Sequence, residues 1–326
     1  MSYARLAATM LRYRVASLLL PFFLLAPAFH GRLQGFRWQY AAGLVALFAS
    51  YLVATCLNDI FDVEIDRINH PQAGDRPLVS GDATPRELYA LASLAAILAL
   101  SAGVAVGIAG AGLAAASLLL NLAYSVPPAR LCARPLAAPP VLAFAYVVLP
   151  FGMGLAAAGL VPDALDARVA ACFSILLMGR MLLKDFRDRQ GDAAFGKRTF
   201  LLAYGKKATL TLVLACVAVG DSVLVSVLPP VPLLTVAVEA YFGGIVVQLY
   251  RLWRTQDPAA ERVAIALGAR MGNAVVLTLL GCLLLIETGA TAAEQAAFIV
   301  AFAGLFWGVF AYLSARPRQA VAAYRG

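Results

Sequence analysis

Charge is what this chain has least of: only 13% of its 326 residues are Asp, Glu, Lys or Arg, against 62% that are hydrophobic. Soluble domains run at about 25% charged and about 45–50% apolar, so an ordinary soluble enzyme is excluded. Histidine is almost missing. The two present, His30 and His70, stand at no metal-ligand spacing from each other or from a cysteine, and read as membrane-boundary residues. The five cysteines (Cys56, Cys132, Cys172, Cys216 and Cys282) are few, odd in number and mostly inside apolar runs, which excludes a disulfide scaffold and makes them small core residues. A net charge of +8 would suggest nucleic acid in a soluble protein. In so apolar a chain it reads as a basic face turned to the cytoplasm, with no nucleic-acid partner.

What the chain has in quantity is long apolar runs. A spanning helix needs about 20 apolar residues, and runs of that kind are expected near 13–29, 39–62, 86–107, 110–125, 137–159, 167–188, 207–228, 231–251, 264–287 and 293–314. The first ends in Ala26-Pro27-Ala28, which mimics a signal peptidase site. It carries Pro21 and is followed by many further spans, so a first transmembrane helix is the simpler reading. With the N-terminus in the cytoplasm, every Lys and Arg except Arg32, Arg37 and Arg168 falls on the inner side, which obeys the positive-inside rule and puts both termini there. The expectation is an all-α, polytopic bundle of nine or ten spans, one domain over 1–326, multi-pass in a bacterial-type inner membrane.

Ten of the eighteen acidic residues lie in two stretches, seven from Asp59 to Glu87 and three from Asp185 to Asp192. The first stretch, Asn58-Asp59-Ile60-Phe61-Asp62-Val63-Glu64-Ile65-Asp66-Arg67, continues an apolar helix without a break. At about 100° per residue, Asp59, Asp62 and Asp66 share an arc of about 60°, which Asn58 widens to about 100°. The second, from Lys184 to Asp192, repeats the i, i+3, i+7 spacing with Asp185, Asp188 and Asp192. Gly191 offers a stop that would leave Asp192 in a cap. Three carboxylates on one stripe at a membrane boundary repel each other and need a cation. Hard oxygen ligands in this number suit Mg2+, which takes one or two carboxylates per ion and completes its shell with phosphate oxygens. Two facing stripes would bind a diphosphate, with Arg67, Arg76 and Lys184 neutralising the remaining charge.

The first stretch, with Arg76-Pro77-Leu78-Val79-Ser80-Gly81, resembles the NDxxDxxxD…RPxxSG signature of the UbiA superfamily of intramembrane prenyltransferases. The second resembles that family's KDxxDxxGD motif, followed by Gly196-Lys197-Arg198-Thr199 in place of its GxxT step. Asn121-Leu122-Ala123-Tyr124-Ser125 with Pro127-Pro128 resembles the family's NxxYS segment, and Gly272-Asn273 after Arg270 resembles the start of its ninth helix. The likeness runs from about 12 to 287. The helix expected at 293–314 is extra and reads as a packing or dimer helix, and the turn from Pro71 to Asp75 is longer than the family's short one.

The resemblance implies a central cavity capped by the two acidic loops and Mg2+-dependent transfer of a prenyl group from a polyprenyl diphosphate to a small, aromatic acceptor. Asn58, Asp59, Asp62 and Asp66 would hold one metal and Asp185, Asp188 and Asp192 the other. Lys184, Arg67 and Arg76 would meet the diphosphate, with Asn121 and Ser125 beside it and Tyr124 near the reacting carbon. Asp62, Asp66, Asp188, Lys184 and Tyr124 would carry the catalysis. Tyr51, Phe61, Phe144 and Tyr146 are further candidates to line the cavity, where rings stabilise an allylic cation. Sugar-phosphate or glycerol-phosphate acceptors, a terpene cyclase, and a cation-coupled transporter with acids on broken helices remain alternatives. Glu239, alone in mid-span, and Arg180, one turn before Lys184, are weighed between function and packing.

Overall fold

Backbone that runs through lipid has no water to satisfy its amides, so an apolar chain of this kind must fold as helices. The computed structural model describes residues 2–35, 37–69, 74 and 76–322, and every regular element in them is helical. In chain order these are α1 (Tyr3–Met10), α2 (Tyr13–Ala16), α3 (Leu19–Phe29), α4 (Trp38–Asn69), α5 (Pro77–Ser80), α6 (Pro85–Val106), α7 (Ile108–Ser125) and α8 (Ala138–Ala143). They continue with α9 (Leu149–Ala158), α10 (Ala164–Ala194), α11 (Phe200–Val225), α12 (Pro232–Arg254), α13 (Pro258–Glu287), α14 (Ala292–Ser314) and α15 (Pro317–Ala322).

Eight helices are long and apolar enough to cross a membrane, counting α8 and α9 as one. A ninth is made by α1 with the stretch Tyr13–Phe29, bent by 50° at the break between them. The remaining expected span is α10, which has the length, 31 residues, but carries Asp166, Arg168, Arg180 and Lys184 along it. The protein is therefore a multi-pass membrane protein. Two expected boundaries move. Gly191 does not end α10, which runs on to Ala194, and α11 starts at Phe200 but breaks at Gly205 (φ 79°) before its apolar stretch begins.

Local chemistry explains the less regular points. Pro150 has no N–H to give to the Tyr146 carbonyl four residues back, and the chain answers with a π turn over Phe144–Val148, closed by Leu149 N–H donating to the Phe144 carbonyl. Capping boxes at Thr84/Glu87, Asp163/Asp166 and Thr291/Glu294 fix the starts of α6, α10 and α14, each worth about 1 kcal/mol. Where helices cross closely the contact residue is glycine: a side chain at Gly154 of α9 would run into the backbone carbonyl of Phe23 on α3.

The two helices that matter most, α4 and α10, pack against each other, while α6 and α7 flank α4 and α11 flanks α10. The extra helix α14 lies at the periphery on α12 and α13, held by an aromatic ladder in which Tyr241 meets Phe306 at 4.9 Å and Trp307 at 5.9 Å between ring centroids.

Candidate active site

Because α4 continues helically past its apolar stretch, Asp59, Asp62 and Asp66 stay on one face and turn inward. They are 2%, 4% and 6% exposed. Carboxylates buried this deeply need charged partners, and the fold brings them from three distant segments. Arg12 places Nη2 2.6 Å from both oxygens of Asp59. Arg76 reaches Asp59 at 2.5 Å and Asp66 at 2.7 Å. Arg130 donates to Asp62 at 2.7 Å and to the Phe61 carbonyl at 3.2 Å, and the Asn58 amide donates to the other Asp62 oxygen at 3.1 Å. Arg12 and Arg130 have φ of 42° and 36°, and they are the only non-glycine residues with positive φ among the described residues. Left-handed backbone costs such residues about 1–2 kcal/mol, so the surrounding packing holds both arginines against a local preference.

The second stripe meets the first through Lys197. Its Nζ lies 3.0 Å from Asp62 and 3.6 Å from Asp192. Burial alone would pull this ammonium's pKa down, but the carboxylates of Asp62 and Asp192 push it above the usual lysine value, so it stays charged at neutral pH. Asp188 pairs with Arg187 at 2.9 Å. Tyr124 lies within electrostatic reach of Asp62 on one stripe and Asp185 on the other, and Lys184 is exposed beside Asp185. Below the cluster Tyr51 and Tyr146 pack edge to face, 6.2 Å between centroids.

The donor set fits Mg2+. All the candidate ligands are hard oxygens, and one carboxylate from each stripe, Asp62 and Asp192, meets the Lys197 ammonium. They do not close into a cage by themselves, since the only His/Cys/Asp/Glu trio within 4.8 Å among the described residues is His30, Asp163 and Asp166 elsewhere in the fold. That suits an ion that takes one or two carboxylates and fills its shell from a phosphate. Asp59 fits that role least: both its oxygens are held by arginines.

Not every expected residue faces the acidic arc. Arg67 is more than half exposed and pairs with Glu64 at 2.6 Å; eight residues after Asp59 it is turned about 80° from it, off the acidic arc. The Asn121 amide donates to the Ser50 carbonyl at 2.9 Å and hydroxyl at 3.1 Å, tying α7 to α4 as polar groups between membrane helices do. Ser125 is buried, 2% exposed, at the end of α7. Phe144 is 44% exposed, and Phe61 packs against the apolar cluster around Leu6 and Met10. Glu239 is exposed on α12, and Arg180 donates to Asn273 at 2.6 Å. His30 pairs with Asp166 at 3.0 Å; His70 and the turn residues Pro71–Ala73 and Asp75 fall outside the described residues. The sequence reading missed Arg12, Arg130 and Lys197 as site cations. Only the Gly196-Lys197 step, inside a recognised motif, carried a signal.

Acids on two adjoining membrane helices, laced with arginine and lysine, mark the candidate site of an integral membrane protein. The chain belongs to the UbiA prenyltransferase family, whose profile matches residues 18–273. Digeranylgeranylglyceryl phosphate synthase of Methanoregula boonei is 32% identical over 181 residues, 54% of this chain and 62% of that protein; the match spans less than two thirds of this relative's length. A structure of a digeranylgeranylglyceryl phosphate synthase superposes with a TM-score of 0.65 at 18% identity, over 86% of this chain and 98% of the other. A UbiA homolog from Archaeoglobus fulgidus bound to GPP and Mg2+ superposes with a TM-score of 0.56 at 15% identity, over 92% and 99%. At these identities the structures bear on the fold alone.

Proposed function

We propose that this protein transfers a prenyl group from a polyprenyl diphosphate to a small acceptor at the site between α4 and α10, with Mg2+ as cofactor and the site and both termini on the cytoplasmic side. The observation that carries the reading is the Lys197 bridge, which draws Asp62 and Asp192 of the two stripes onto one point. Membership of the family supports it.

Asp62 and Asp66 on α4 and Asp185, Asp188 and Asp192 on α10 would hold the metal. When bound, Mg2+ supplies Lewis acidity toward the diphosphate oxygens. Arg12, Arg76, Arg130, Lys184 and Lys197 supply fixed positive charge as the bond from the first prenyl carbon to oxygen breaks and pyrophosphate leaves with the electron pair. The new bond forms from the acceptor to that carbon, and the acceptor gives up a proton. Tyr51, Tyr124 and Tyr146 offer ring faces to the allylic cation at about 0.5–2 kcal/mol each, and the apolar helices around them exclude water. A cation-coupled transporter would place its acids on broken helices; α4 and α10 run unbroken through theirs.

Purified protein supplied with prenyl diphosphates is expected to release pyrophosphate only with Mg2+ and only with an acceptor present. Release without acceptor would point to a cyclase, and no release with any acceptor would end this reading. Lys184→Ala is expected to raise the KM for prenyl diphosphate about tenfold, the loss of one charge-assisted contact, and to leave the acceptor KM unchanged. Equal changes in both KM values would remove Lys184 from the diphosphate subsite.

A further inference from the structure

Outside the acidic stripes, Glu261 in the first turn of α13 is a further buried carboxylate, 3% exposed. An acid buried to that degree needs cations, and two reach it from different helices. Lys206 of α11 donates to Oε1 at 2.8 Å and also to the Thr255 carbonyl in the turn between α12 and α13, while Arg189 of α10 brings Nη1 to 3.3 Å from Oε2. Such a triad is a weak source of stability, because well-packed apolar side chains of similar volume would do as well. What it fixes is geometry, and its two cations stand at the two ends of one segment. Arg189 lies about 40° from Asp185 and about 60° from Asp192 around α10, so its hold on Glu261 sets how the second stripe is turned about the helix axis. Lys206 is the first residue after the break at Gly205, where the apolar part of α11 stops holding the chain before it in line. Between these two cations the chain carries Asp192 and Lys197, and Lys197 is what reaches Asp62 on the other stripe. The segment's own packing is slight: from 195 to 205 Leu201 is the only apolar side chain that is buried, and Phe195 and Tyr204 are about half exposed.

We propose that Glu261 is a positioning residue for the acidic site: by clamping Arg189 and Lys206 it holds the segment between them where Asp192 and Lys197 meet Asp62, and so governs how tightly the site takes Mg2+ and pyrophosphate, although none of its atoms belongs to the stripes. For what the site binds, the proposal rests on the transferase reading. The clamp itself stands on the distances from Glu261 to Arg189 and Lys206 and from Lys197 to the two stripes.

The test uses the full chain in phosphatidylcholine nanodiscs and two variants. Glu261→Gln keeps the shape and loses the charge, and Arg189→Gln opens one arm while Glu261 keeps Lys206. Both should fold, since the Arg189 and Lys206 side chains are 36% and 20% exposed and can turn to water. Without ligands, amide hydrogen exchange in peptides covering 192–205 is expected to quicken about tenfold in Glu261→Gln, and by less in Arg189→Gln, on the scale of a local opening that costs less once its anchor is gone. Calorimetry with Mg2+ and pyrophosphate is expected to show their dissociation constant rising about tenfold in Glu261→Gln, as when a metal site loses an outer partner. Adding Arg189→Gln to Glu261→Gln should weaken binding no further, because both act through one clamp. A merely structural carboxylate would lower the melting temperature and leave the binding constant of the folded protein where it was. Faster exchange with unchanged binding would therefore overturn the proposal. So would weaker binding with unchanged exchange, which puts the effect outside the segment, or further weakening in the double variant. A wild-type protein that binds no Mg2+ and pyrophosphate would end the transferase reading, whereas wild-type binding that both variants share would end the clamp alone.

Discussion

Asp62→Ala is expected to lower the rate of prenyl transfer by about a thousandfold, on the scale seen when one preorganised charge-stabilising group is removed from an active site. The partners of Asp62 come from different parts of the chain. Its two oxygens take Arg130 at 2.7 Å, Lys197 at 3.0 Å and Asn58 at 3.1 Å, so on the proposed reading removing it would strip an oxygen ligand and loosen the cations that would face the diphosphate. Breaking a buried ion pair by deleting one partner costs about 3–5 kcal/mol. Part of that cost is relieved here, because Arg130 is a third exposed and can turn to water, while Lys197 keeps Asp192. The chain should therefore still fold. Asp62→Asn is the sharper companion, since it keeps the shape and a hydrogen-bonding oxygen but not the charge. The measurement is pyrophosphate release across a Mg2+ titration, with helical content and monodispersity checked alongside. A near-normal rate in either variant would remove Asp62 from the metal site and with it the two-stripe arrangement.

How much of this was legible in the sequence follows from the range of each interaction. The acidic stripes were legible because helical periodicity is local: Asp59, Asp62 and Asp66 lie on one face whatever else the chain does, provided the helix continues past residue 62, and it does. The spans were legible because lipid leaves an apolar run little choice but helix. The counter-charges were not. Arg12 and Arg130 meet the first stripe across 47 and 68 residues of chain, from backbone conformations that no propensity favours in arginine, and in the sequence they look like any other basic residue near a membrane. The bent start of the chain was missed for the same reason, because the turn at Arg12 has no glycine or proline to announce it. Asn121 was read as part of a motif, and its bonds to Ser50 depend on a helix crossing that only the fold sets. Lys197 is intermediate: the motif drew attention to its segment, but its position between the stripes depends on how the chain turns after α10.

Gly191→Ala is expected to reduce transfer about a hundredfold without removing any charged group. A methyl group at this position would sit 2.7 Å from the Asn69 side chain and 2.7 Å from the Ile65 carbonyl oxygen. Asn69 can swing aside, at the loss of the 2.7 Å bond its Oδ1 accepts from the Gly191 N–H. The Ile65 carbonyl is helix backbone and cannot. The alternative is for α4 and α10 to move apart, and these two helices carry the two stripes, with Ile65 next to Asp66 and Gly191 next to Asp192. A displacement of about 1 Å at a reacting site can cost about a hundredfold in rate, and here it would stretch the Lys197 bridge that spans the gap. Because alanine otherwise favours helix over glycine by about 1 kcal/mol, a purely local view predicts a more stable, fully active protein. Measuring kcat and melting temperature together therefore separates the two. Adding Asn69→Ala to Gly191→Ala should restore only part of the rate, since it relieves the side-chain clash and leaves the carbonyl one. Full activity in Gly191→Ala alone would mean that the stripes tolerate a variable separation, so that the bound diphosphate and its metals, rather than the contact between α4 and α10, set the distance across which the chemistry runs.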